Sequence, residues 1–314
     1  MRVAAFKATT AFLTSIDDSE TVLAFKDIVP VLLSTVVEAL KTDEDQGKMA
    51  LTSMVELTSI HSELWKDCVG QIVEIASQIM GTAQFEDGTR AVALEIVISL
   101  SQHIPAQLRK SDVTRTVLFP TFFRMMAELD DDVDTWLETR DEDETGRTDA
   151  FSVGKDGLNN LSVFMKEKVT MASCMGIIQE GTMSSDWKLK VAGLYGLGII
   201  AEACKESMTS NMEEVIKKAC TGLMDEHPRV RYAALSCLAL LVSELAPLAQ
   251  KKFHDQLMPV LLKMIESETS LKMRTHTVSC TINFVQGLTE EDADEREDTK
   301  KSSSLIAKYQ DTLL

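Results

Sequence analysis

Carboxylates are the most concentrated reactive groups in this sequence, and they fall in two runs. Residues 128–149 hold eleven Asp and Glu against Arg140 and Arg147, and residues 290–298 (EEDADERED) hold seven against Arg296. These runs supply 15 of the 17 net negative charges, so the rest of the 314-residue chain is close to neutral. Paired carboxylates do acid–base work only at a fixed separation, which consecutive acids in a loop do not hold. The six cysteines show no CxxC, and the five histidines (His61, His103, His227, His254, His276) stand at no ligand spacing. There is no GxSxG, P-loop, GxGxxG or HExxH. The expectation is therefore a protein that is not an enzyme and holds no metal or cofactor. Its chemistry would be ion pairing: acidic surfaces repel nucleic acid and attract basic peptides.

The elements that position these groups repeat. Six segments share a polar start, a basic residue and then apolar and small residues at helical spacing. They are MRVAAFKATTAFLTSI, GKMALTSMVELTSI, GTRAVALEIVISLSQHI, DWKLKVAGLYGLGIIAEAC, HPRVRYAALSCLALLVSEL and LKMRTHTVSCTINFVQGL. Their basic positions are Arg2, Lys48, Arg90, Lys190, Arg231 and Arg274, which stand 46, 42, 100, 41 and 43 residues apart. The long gap contains the first acidic run and a weaker copy from Asp156 without the basic residue. Between the copies lie other segments with Leu, Val, Ile or Met at i, i+3, i+4 and i+7, each a helix with one buried face. Helix A, turn, helix B every ~40–47 residues is the HEAT period. Asp186 and His227–Pro228 stand where an N-cap and an N1 proline start B helices. Pro30, Pro120 and Pro259 fall early in A segments. Ala192, Gly193, Ala233 and Ala234 let a B helix approach its A partner closely. The basic residues Arg90, Lys190, Arg231 and Arg274 read as a structural ladder that bonds a neighbouring repeat.

Composition agrees with this all-α reading. Only 6 prolines, 14 glycines and 5% aromatic residues are present. No stretch reaches the ~18 apolar residues of a membrane span, so no membrane insertion is expected. The scattered cysteines read as buried reduced thiols of a cytosolic or nuclear protein.

In order along the chain, RVAAFKATTAFL, EDGTRAVALEIVISLSQHIPAQLRK, LFPTFFRMMAELDDDVDTW with its acidic loop, DWKLKVAGLYGLGIIAEACKESM and LMDEHPRVRYAALSCLALLVSELAPLAQKKFHDQLMPVLLKMIE resemble the importin-β superfamily of nuclear transport receptors. The likeness is nearest to the importin-5 (karyopherin-beta-3) branch, of which this would be an internal fragment. The resemblance implies a right-handed superhelical solenoid of antiparallel helix pairs, with B helices lining the concave face. It implies shuttling between cytoplasm and nucleus, basic nuclear-localisation signals as cargo, release by Ran-GTP, and passage on phenylalanine-glycine nucleoporins. The expected organisation is HEAT repeats over 1–129, opening on a B helix, an acidic loop over 130–152 and HEAT repeats over 153–288. An acidic linker over 289–300 and an A helix over 301–314 follow.

The family's acidic loop, tied to Ran and cargo, carries over onto Asp130, Asp131, Asp132, Asp134, Trp136, Asp141, Glu142, Asp143 and Glu144. Concave-face contacts to cargo are expected at Glu95, Glu202, Glu244 and Asn283, with Trp187 stacking on a lysine stem. Two rival readings remain at this level: a HEAT scaffold or regulatory subunit without transport activity, and an acidic chaperone of basic proteins.

Overall fold

The computed structural model describes residues 2–139 and 148–287, and every regular element among them is helical. In chain order the helices are α1 (Arg2–Thr14), α2 (Ser19–Leu23), α3 (Val29–Thr42), α4 (Glu44–Ile60), α5 (Val69–Met80), α6 (Asp87–His103), α7 (Pro105–Lys110) and α8 (Phe119–Met126). They continue as α9 (Val133–Glu138), α10 (Ala150–Met183), α11 (Trp187–Ile199), α12 (Lys205–Ser210), α13 (Met212–Leu223), α14 (Pro228–Glu244), α15 (Leu248–Ser267) and α16 (Leu271–Gln286). The acidic run at 290–298 and the expected A helix beyond it lie outside the described residues.

The chain forms two compact units, Met1–Glu128 with Arg147–Gly176, and Leu129–Gly146 with Ile177–Leu314. In the first, the B helices α1, α4 and α6 pack side by side while the A helices α3 and α5 cover them. In the second, α11, α14 and α16 form the B layer and α13 and α15 the A layer. The fold is an all-α HEAT-repeat solenoid.

Local chemistry sets the helix starts. The Asp43 carboxylate accepts from the Gln46 N–H at 3.1 Å and begins α4. That of Asp186 accepts from the Lys188 N–H at 2.9 Å and begins α11. Each capping bond is worth about 1 kcal/mol. Beyond the caps, α14 buries Val230, Ala233, Ala234, Cys237, Leu238 and Leu241 completely or nearly so. Large side chains of this kind contribute about 1.5–3 kcal/mol each. Where α10 meets α11, Gly181 and Gly193 face each other. A Cβ on Gly193 would lie 2.9 Å from the Thr182 backbone nitrogen, so only glycine permits this approach.

Several positions differ from the sequence reading. Helix α10 is two helices in succession, 150–165 and 167–183, broken at Lys166 with φ 65° and ψ 156°. Arg109 closes the break by donating to the Phe164 carbonyl at 2.7 Å. The weak copy starts at Ala150 rather than Asp156, because Asp149 caps it through the Ser152 N–H at 2.8 Å. The acidic stretch contains a helix of its own, α9. Pro30 and Pro120 do stand in first turns, but Pro259 lies inside α15, which begins upstream at Leu248. His227 occupies the N-cap position of α14 without making a side-chain cap bond.

Candidate interaction face

The basic ladder is an inter-repeat bonding device. Four B-helix cations each reach an acidic residue at the end of the following A helix or in the turn after it. Lys48 stands 3.9 Å from Glu86, Lys190 2.6 Å from Asp225 and Arg231 3.1 Å from Glu268. Arg90 is the most buried rung. Its guanidinium holds both Glu128 oxygens at 2.7 and 2.8 Å, and its Nε donates to the Met80 carbonyl at 2.6 Å. Burial raises the Asp225 pKa, but the Lys190 bond, the His227 N–H and the Lys190 charge outweigh it, so this carboxyl lies below the usual range. Arg274 is exposed and has no ion-pair partner among the described residues.

A second row of side chains lies close to the ladder in sequence. Trp187 stacks on His227 (4.1 Å between centroids, 11° between planes), and Tyr232 stacks on His276 (3.8 Å, 10°). Ser236 bonds His276 Nε2 at 2.8 Å and donates to the Tyr195 hydroxyl at 3.3 Å. Partial burial and then the nearby Arg229 charge push the His227 pKa down; Asp225 and Asp131 oppose this, and Arg231 adds to it.

The acidic segment lies on this row. Asp132 caps α9 through the Thr135 N–H (3.0 Å) and hydroxyl (2.7 Å), and these bonds hold its carboxyl below the ordinary range. Asp131 pairs with Lys188 at 2.8 Å. Two cations lie over the Trp136 ring, Arg229 at 5.0 Å and Lys272 at 4.9 Å, with Tyr232 edge-on at 5.3 Å. Lys272 also donates to the Thr139 carbonyl at 3.0 Å. Trp187 takes Arg229 at 5.7 Å and Lys188 at 5.4 Å over its ring, both cations of this chain.

The other expected site residues are placed separately. Glu202 is exposed in the turn after α11; Glu244 ends α14 and Asn283 lies in α16, both half-buried. Glu95 is exposed on α6 of the first unit. Asp130 and Asp134 are exposed beside the docked Trp136, while Asp141, Glu142, Asp143 and Glu144 lie outside the described residues. Sequence reasoning missed Lys188, Arg229, Tyr232, Lys272 and His276, although the 41- and 43-residue spacing of the three cations was there to be read. Among the described residues no group of His, Cys, Asp and Glu is placed to hold a metal ion, and no helix is long and apolar enough to cross a membrane. All six cysteines are free thiols, and burial raises Cys68 to about 11 and Cys280 to about 12.

Known proteins resemble this chain over most of its length. A family model for importin repeats matches residues 82–171, and one described as IPO5-like, TPR repeats matches residues 1–75. Both stretches resemble the importin-β family. A HEAT-repeat model matches residues 215–245. Importin subunit beta-3 of Saccharomyces cerevisiae is 23% identical over 261 residues, 82% of this chain and 24% of that protein. Probable importin subunit beta-4 of Schizosaccharomyces pombe is 21% identical over 84% of this chain and 24% of its own. The chain thus spans about a quarter of the length of the curated relatives it matches. Among solved structures, Kap121p bound to Pho4p superposes with a TM-score of 0.87 at 21% identity, over 99% of this chain and 29% of that one. Kap121p bound to RanGTP gives 0.82 at 21% identity, over 99% and 32%. At this identity the likeness establishes the fold.

Proposed function

We propose that this chain is the cargo-reading stretch of a nuclear import receptor that shuttles between cytoplasm and nucleus. Basic localisation signals lie across successive B helices and are released by Ran-GTP. The observation that carries the reading is one acidic or amide side chain per repeat toward the C-terminal ends of α11, α14 and α16: Glu202, Glu244 and Asn283. Neighbouring helices lie about 8–10 Å apart, and an extended peptide advances about 3.3 Å per residue. Lysines about three residues apart therefore meet successive repeats, so signal order matters and not charge alone. In the first unit the candidate is Glu95, exposed at the middle of α6. The importin-repeat match and the likeness to solved complexes of Kap121p with Pho4p and RanGTP support this reading.

The exposed carboxylates Asp130, Asp134 and Glu138 are the described part of the surface offered to Ran-GTP. A mostly apolar cleft of about 410 Å³ lined by Thr209, Met212, Leu248, Lys251 and Lys252 lies between A helices. We assign it to the phenylalanine side chains of pore proteins. The test is the double charge reversal Glu202→Lys/Glu244→Lys, read by fluorescence anisotropy with a lysine-rich signal peptide. At least a tenfold loss, about 1.4 kcal/mol, is expected; unchanged affinity would remove these residues from the site.

A further inference from the structure

Lys188, Arg229 and Lys272 each stand two residues before a ladder residue, Lys190, Arg231 or Arg274. At the same offset before Lys48 and Arg90 the chain has Gln46 and Gly88. A second cation per repeat therefore begins only after the acidic insertion. Its three members do not serve the ladder: all three contact residues 131–139 or the Trp136 ring. Lys272 is only 6% exposed. A lysine buried this far requires donors' partners and favourable charge, and here they are the Thr139 carbonyl and the faces of Trp136 and Tyr232.

The contacts divide the segment into two sides. Asp131, the Asp132 carbonyl, Trp136 and the Thr139 carbonyl face the B helices, whereas Asp130, Asp134 and Glu138 are exposed. A solvated acidic loop has no need of a tryptophan, nor of three B-helix cations set one repeat apart beneath it. The docking site repeats with the solenoid, the ligand is a short helix, α9, with its flanking residues, and an aromatic anchor sits at its centre.

We infer that Lys188, Arg229 and Lys272, together with the Trp187–His227 and Tyr232–His276 stacks, form a binding track for an acidic peptide that folds into a short helix and carries an aromatic residue, and that residues 131–139 of the chain occupy it in cis. The track is opposite in charge to the carboxylates assigned to basic cargo, so it selects a different class of ligand. An acidic, tryptophan- or tyrosine-bearing segment of a partner protein binds there by displacing the chain's own segment. Tethering gives that segment an effective concentration on the order of millimolar, so a peptide that binds the open track at ~50 μM is weakened roughly 20-fold by its presence.

The experiment uses the full chain and a labelled synthetic peptide spanning residues 129–140. Asp131→Asn/Trp136→Ala opens the track without touching its cations. The peptide is expected to bind this variant at least tenfold more tightly than the unaltered chain, and a scrambled peptide of the same composition less tightly than the native order. Adding Arg229→Gln to the open variant is expected to weaken binding about tenfold, with circular dichroism and thermal melting confirming the fold. As a second readout on the intact chain, Lys188→Gln, at a partly exposed position, is expected to increase iodide quenching of tryptophan emission, and the increase should vanish in a Trp136→Phe background. Equal binding by the open and unaltered chains, or equal binding with and without Arg229, would overturn the inference. So would quenching that does not respond to Lys188.

Discussion

Lys272 holds Trp136: its ammonium lies 4.9 Å from the indole centroid and donates to the Thr139 carbonyl at 3.0 Å. Far apart in sequence, the two residues join the acidic insertion to the last described B helix of the second unit. A cation over indole in a partly desolvated setting is worth about 1–2 kcal/mol, and Arg229 adds a second on the same ring. The acidic charge is thus held against the B-helix row at 131–139, which leaves Asp130 and Asp134 facing outward.

Arg90 should be the costliest rung to remove. Its guanidinium is almost fully buried and satisfies Glu128 twice and Met80 once. Arg90→Ala is expected to destabilise the first unit by about 2–4 kcal/mol in urea unfolding. Lys48→Ala, at 3.9 Å from an exposed Glu86, should cost under about 0.5 kcal/mol. Equal losses would mean that the ladder acts through general charge.

Lys166 stores backbone strain. Its φ of 65° with ψ of 156° is a region that glycine occupies freely and side chains resist. Lys166→Gly is expected to raise stability by about 1 kcal/mol despite the added freedom of the unfolded chain. A lower melting temperature for the glycine variant would contradict the strained assignment.

Gly193→Ala should destabilise by about 1–3 kcal/mol, because its new methyl meets the Thr182 nitrogen at 2.9 Å and Gly181 backbone just beyond. Denaturant midpoints compare it with Gly176→Ala, where the space is open and the replacement should be neutral or stabilising.

Acidification should weaken the second unit in two windows. His227 has a folded pKa below its ordinary value. The unfolded chain therefore takes up the proton first, and stability falls as pH drops below about 6.5. Replacing His227 with Asn should flatten that slope. Asp225 is also lowered. Its contribution is present above the ordinary carboxylate value and is lost as pH falls through the folded one, below about pH 4. Stability unchanged between pH 7 and 5 would contradict the histidine assignment.

The helix pairs were legible because their information is local. The 3.6-residue stripes, Asp186 as a cap, Gly193 as a small contact and the basic residue of each copy all act within one turn or one neighbouring repeat. Pro259 misled the reading because a proline marks a helix start only when the upstream residues cannot continue the helix; here Leu248 to Met258 do. His227 was placed correctly at a helix start, but its stacking on Trp187 depends on how two repeats pack, which no single segment encodes. The docking of Trp136 on Lys272 was invisible for the same reason, and only the periodic recurrence of Lys188, Arg229 and Lys272 hinted at it.

The most direct test of the receptor reading is a calorimetric titration of this chain with a lysine-rich import-signal peptide, beside a scrambled peptide of identical composition, at low and at physiological salt. The account predicts that the native order binds at least tenfold tighter and keeps that advantage at physiological salt, because Glu202, Glu244 and Asn283 read spacing. Equal binding by both peptides, abolished together by salt, would contradict it and leave the acidic residues as a non-selective reservoir of charge.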